Sequence, residues 1–111
     1  MKFLGLFRPA TPEGTPPTGD EMERMGKLIT EMQAAGVLLA TEGCMPSSYG
    51  AKVRRRNGKI TVVDGPFTET KEIVGGFALF QCSSKDEAIA WTTRFLDAAG
   101  DGESEIRQIA E

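Results

Sequence analysis

Two carboxylates and a short charged segment are the residues of this chain best suited to chemistry. Asp64 opens the run Asp64-Gly65-Pro66-Phe67-Thr68-Glu69-Thr70-Lys71-Glu72, which leads straight into the apolar stretch Ile73-Val74-Gly75-Gly76-Phe77-Ala78-Leu79-Phe80. A carboxylate at the edge of an apolar core has its charged form penalised, which raises its pKa and suits it to general acid or base work. The plainer role for Asp before Gly-Pro is to accept hydrogen bonds from the turn it begins. Glu42 is the second candidate, because strand alternation puts it on one face with Leu38, Ala40 and Cys44. Two such groups at one cavity would split their pKa values and divide the acid and base roles. Phe67, Glu69 and Lys71 beyond the turn, and Arg55 on the hairpin before it, are candidate substrate contacts. Their plain alternative is a solvated, mutually paired surface.

Composition excludes several other chemistries. The chain of 111 residues has no histidine, which removes Ser-His and Cys-His nucleophiles and the commonest metal ligand. Its two cysteines, Cys44 and Cys82, are too few and too far apart for a metal site or a disulfide framework, and read as reduced, partly buried apolar residues. Gly75-Gly76 lies inside an apolar run and is no phosphate loop, so neither a metal nor an organic cofactor is expected. A net charge of −3 argues against nucleic acid as a partner. Arg54-Arg55-Arg56 alternates across two faces of a strand, which reads as solvated strand chemistry. No segment approaches the roughly 20 apolar residues of a membrane span, and Met1–Arg8 is too short for a signal peptide, so a cytoplasmic protein is expected.

These side chains need a scaffold, and the pattern supplies one domain over residues 1–111. Lys2 to Phe7 is apolar at most positions and reads as a central strand. Pro9 to Gly19 holds four prolines and two glycines, which forbids helix and interior strand and leaves a long loop. Thr18 and Glu21 have capping-box spacing, and Met22, Met25, Ile29 and Met32 form the stripe of an amphipathic helix ending near Gly36. Such a methionine stripe is core or, alternatively, an adaptable binding face. Val37–Glu42 reads as a strand. Ala51–Arg56 and Lys59–Val63 flank Asn57-Gly58, the strongest short hairpin signal. Ile73–Cys82 is apolar almost throughout, as a strand covered on both faces would be. Ser84 and Glu87 open a second helix through Trp91 and Phe95 to Ala99, and Glu105–Ile109 closes the chain as a last strand.

The order is that of an α+β fold of the ferredoxin-like split βαβ type, with an added β-hairpin. A two-residue turn puts Arg56 opposite Lys59, Arg55 opposite Ile60, Val53 opposite Val62 and Ala51 opposite Asp64. Asp64 and Arg55 therefore continue an apolar face with Val53, Ile60 and Val62. Because Val62, Phe77 and Leu79 alternate with other apolar residues, the sheet face away from the helices also looks too apolar for water. A second copy packed there would cover it, which makes a homodimer and places a small organic molecule in the cleft between two sheets. Proton transfer of isomerase or lyase type, needing no cofactor, is the reaction class that suits such a cleft.

The run Asp64-Gly65-Pro66-Phe67 with Glu69, Lys71, Glu72 and Gly76-Phe77, together with Ala35-Gly36-Val37-Leu38-Leu39 and Glu42-Gly43, resembles the DGPF-domain family of the YCII-related superfamily. The resemblance implies a dimeric α/β barrel and a cleft with a His-Asp pair, in which Asp64 matches the Asp. With no histidine in this chain, Glu42 or a water would have to take the other role. It also implies a rival, non-catalytic class: an accessory or sensing module linked to extracytoplasmic-function sigma factors.

Overall fold

The computed structural model describes residues 1–111. The strands are β1 (Lys2–Pro9), β2 (Leu38–Gly43), β3 (Ala51–Arg56), β4 (Lys59–Asp64), β5 (Gly76–Gln81) and β6 (Gly102–Gln108), with helices α1 (Gly19–Ala34) and α2 (Lys85–Ala99). Single 3₁₀ turns at Ser47–Tyr49 and Thr70–Glu72 punctuate the connections. β2, β5, β1 and β6 form one antiparallel sheet in that order, while β3 and β4 pair only with each other. Without the hairpin this is the ferredoxin-like arrangement expected from the order of elements.

Local chemistry sets the ends of the elements. Thr18 Oγ1 accepts from Glu21 N at 3.1 Å while Glu21 Oε1 accepts from Thr18 N at 2.8 Å, the full reciprocal box at the start of α1. The second helix has only half of that device. Ser84 Oγ accepts from Glu87 N, but the Glu87 carboxylate turns back one residue further and takes both Ser83 N and Ser83 Oγ. Two neighbouring donors on Ser83 outcompete the single backbone N–H of Ser84. Asn57 and Gly58 both take positive φ, 49° and 78°, and the hairpin register has the four pairs expected of that turn.

The core is thin. Phe3, Leu28, Met32, Val37, Phe80, Cys82, Ala88 and Ala98 form one buried cluster where the two helices meet the sheet. Phe3 stacks on Phe80 at 6.0 Å, and Phe7 meets Phe95 of α2 edge-on at 5.1 Å. Those contacts fix the helix-covered face, so Leu4, Leu6, Phe77 and Leu79 lie on the other face and stay half-exposed. The hairpin is more open still. Val53, Ile60 and Val62 are 67%, 59% and 61% exposed, so its apolar face is uncovered within one chain. Val62 also belongs to this arm and not to the main sheet, contrary to the expectation of one continuous apolar face.

The whole chain is correspondingly extended. Its radius of gyration is 15.5 Å, against about 13 Å for a compact chain of this length. Its accessible surface is 7582 Å², roughly 1,600 Å² more than size scaling gives for a monomer of this mass.

Candidate functional site

The Asp64–Phe67 turn is built around a close approach of two backbones. Gly65 N donates to Gly50 O at 3.1 Å, and Phe67 N donates to Ser47 Oγ at 2.9 Å. A Cβ on residue 65 would lie 1.7 Å from the Ser47 carbonyl oxygen, so glycine alone fits there. The Gly65-Pro66 peptide is cis. Ser47 in turn donates from its N and Oγ to the Glu13 carboxylate, each at 2.7 Å. The motif therefore clips the base of the hairpin to the 3₁₀ turn at Ser47, and that turn to the proline-rich loop. Glu13 and Ser47 carried no sequence signal, because their partners lie 34 and 20 residues away.

Within one chain Asp64 is neither desolvated nor capped onto the turn it begins. It is exposed, and the turn's donors go to Gly50 O and Ser47 Oγ, leaving it no turn N–H to accept. It does share the open apolar face of the hairpin, opposite Ala51. Arg55, also expected to point inward, is exposed on that same face. The hairpin's nominally solvated side is the one in contact: Lys52 pairs with Glu72 and lies 4.6 Å over the half-buried Phe67 ring. The Lys52 hydrogen bond holds the Glu72 carboxyl below its ordinary pKa against an opposing desolvation. Glu69 and Lys71 pair with each other at 3.2 Å in the open.

Glu42 lies apart from this cluster. A register shift between Leu38 and Ala40 puts Leu38 opposite Phe80 and Glu42 opposite Phe77. The shift sends Leu38 to the helix side and keeps Glu42 exposed on the other, so the expected grouping of Leu38 with Glu42 is broken by the irregularity. Arg8 escaped notice because the first strand runs two residues past Phe7. Its side chain is only 13% exposed, held by Glu105 at 3.2 Å and by the Lys71 carbonyl at 3.3 Å.

The chain's cleft lies on the helix side of the sheet. A volume of about 1080 Å³ opens between the sheet, the two helices and the Pro9–Gly19 loop. Met22, Met25 and Ile29 of α1 line it, with Phe7 below and Trp91 and Phe95 of α2 opposite. The methionine stripe thus divides: Met32 is core, while Met22 and Met25 are cleft wall. Of the sequence-selected residues only Glu42 borders this space, at the sheet edge with its side chain on the opposite face; Asp64, Arg55, Phe67, Glu69 and Lys71 do not. Cys44 also borders it and is exposed, whereas Cys82 is buried, so the two cysteines differ where both were expected to be partly covered. No set of three or more His, Cys, Asp or Glu side chains is arranged to hold a metal ion, and no helix is long and apolar enough to cross a membrane.

Residues 1–111 match the YCII-related domain. The chain belongs to the YCII-related family. It is also similar to an uncharacterised protein of Rhizobium meliloti (strain 1021), 34% identical over 96 residues that cover 82% of this chain and 77% of the relative.

Proposed function

We propose that this YCII-related protein binds a small organic molecule in the cleft between its helices and its sheet. The observation that carries the reading is the cleft itself. At about 1080 Å³ it matches the upper end of ligand pockets, roughly 300–1,000 Å³, and its wall of Phe, Met, Ile and Trp side chains is the usual apolar lining. A ligand at 100 times its dissociation constant stabilises the fold by about 2.7 kcal/mol, so a thermal-shift screen of small molecules reads binding directly. Met25→Trp fills the cleft and should abolish the shift produced by any hit. An unchanged shift in that variant would place the ligand elsewhere.

The excess surface supports a second element of the proposal, a homodimer in which another copy covers the hairpin and the open sheet face. Roughly 1,600 Å² per chain is what obligate interfaces remove, and sedimentation at micromolar concentration tests it. Such a partner would also desolvate Asp64 and Arg55, which stand on the uncovered apolar face. That favours, as a catalytic form of the reading, acid/base chemistry of isomerase or lyase type at the face covered by the partner and apart from the helix-side cleft, by Asp64 with Glu42, Arg55, Phe67, Glu69 and Lys71 assisting. Asp64→Asn should then remove turnover of a hit whose thermal shift survives Met25→Trp, while leaving the dimer intact. Binding without turnover in the wild type would favour the non-catalytic form, a sensing module of the kind that the resemblance links to extracytoplasmic-function sigma factors. Two free cysteines suit a reducing compartment, the cytoplasm.

A further inference from the structure

We propose that the cleft selects a neutral, apolar molecule carrying one hydrogen-bonding group, and excludes anions. The inference deepens the cleft reading above and depends on it. No lysine, arginine or histidine lines the cleft, and its charged residues are all carboxylates: Glu13, Glu21 and Asp101, with Glu42 at the sheet edge on the opposite face. A bound anion would therefore lose its hydration without meeting a counter-charge, and would sit in a negative field.

On the sheet and α2, two of the three hydroxyl protons that border the cleft are already committed. Thr41 Oγ1 gives its proton to the Phe77 carbonyl at 2.9 Å, and Thr92 Oγ1 gives its own to the Ala88 carbonyl at 2.8 Å. Glu13 and Glu21 are engaged too, by Ser47 and by the Thr18 backbone N–H. On the sheet floor Ser104 sits opposite Phe7, borders the cleft and makes no side-chain hydrogen bond within the chain. Its hydroxyl, on the floor of the cleft, is placed to orient a ligand against the apolar surfaces of Phe7, Phe95, Met25 and Ile29, whereas the other uncommitted hydroxyl protons, on Thr11 and Thr18, sit in the exposed loop. Aromatic faces and thioethers favour a polarisable ring as the body of that ligand.

Trp91 provides the readout, being the single tryptophan of the chain and part of the cleft wall. N-phenyl-1-naphthylamine and 8-anilinonaphthalene-1-sulfonate share one fluorophore and differ by a sulfonate. Energy transfer from Trp91 locates either dye, separating binding in the cleft from adsorption on the exposed hairpin. The neutral dye should quench Trp91 saturably, and the sulfonate should bind at that site at least about tenfold more weakly. Ile29→Lys should reverse the order by supplying the missing cation, and Ser104→Ala should weaken the neutral dye roughly two- to tenfold. Equal or tighter binding of the sulfonate by Trp91 quenching in the wild type would overturn the charge selection while leaving the cleft as a binding site. Quenching by neither dye would overturn both.

Discussion

Gly65→Ala is the substitution whose effect is most tightly set by geometry. The added Cβ would stand 1.7 Å from the Ser47 carbonyl oxygen and 2.5 Å from its carbon. Ordinary contact needs roughly twice the first distance, so the strand end and the 3₁₀ turn must separate by more than 1 Å on the order-of-magnitude view of packed interiors. The partner is backbone, so no side chain can rotate away. Separation breaks the bonds that cross this seam, Gly65 N to Gly50 O and Phe67 N to Ser47 Oγ. At about 0.5–1.5 kcal/mol each, with strain added, the loss should come to about 2–4 kcal/mol. That corresponds to a fall in Tm of roughly 10–20 °C in a domain of this size. Gly26→Ala is the matched control, since a Cβ there meets nothing within 4 Å and the site lies inside α1. It should stabilise by up to about 1 kcal/mol through helix propensity. Thermal unfolding followed by far-UV circular dichroism measures both, and hydrogen exchange at the Phe67 amide shows whether the seam itself has opened. A Gly65→Ala protein within 0.5 kcal/mol of wild type, with Phe67 still protected, would refute the claim that this glycine is required by backbone contact.

Cysteine reactivity should separate the two thiols: Cys44 reacts fast with a disulfide reagent in the native protein, while Cys82 waits for unfolding. Cys82 is buried, and desolvation, helped by the nearby Glu87 carboxylate, pushes its pKa up; equal rates under native conditions would contradict this packing. Stability should also fall in acid. Glu21, Glu31, Glu72, Glu87 and Glu105 are each held below the ordinary value of 4.5 by hydrogen bonds from Thr18, Arg94, Lys52, Ser83 and Arg107 respectively. A lowered folded-state pKa stabilises fully above the unfolded value and is lost as pH drops through the folded one. The denaturation midpoint should therefore hold from neutrality to about pH 5 and decline progressively below 4.5; a midpoint flat to pH 3 would show these bonds to be absent in solution.

The sequence alone determined the elements, because each rests on local chemistry. Thr18 with Glu21 starts a helix, Asn57-Gly58 makes a two-residue turn, and alternation sets which residues of the hairpin share a face. Residues a few positions apart cannot avoid meeting, so these features are legible without tertiary contacts. Their order then admits few topologies, and the ferredoxin-like one follows. What lay beyond the sequence was which face meets what. The bulge between Leu38 and Ala40 regrouped the neighbours of Glu42. The hairpin left the sheet and turned its polar side, through Lys52, toward Phe67 and Glu72. The glycine of Asp64-Gly65-Pro66-Phe67 proved to be fixed by Ser47, a residue chosen by chain path and not by spacing. The cleft has the same origin: methionines of one helix, aromatics of another and a proline-rich loop enclose it only after helices and sheet have packed. Periodicity marks a side chain as apolar, but whether it meets a neighbour or lines a space is decided by packing across the whole fold.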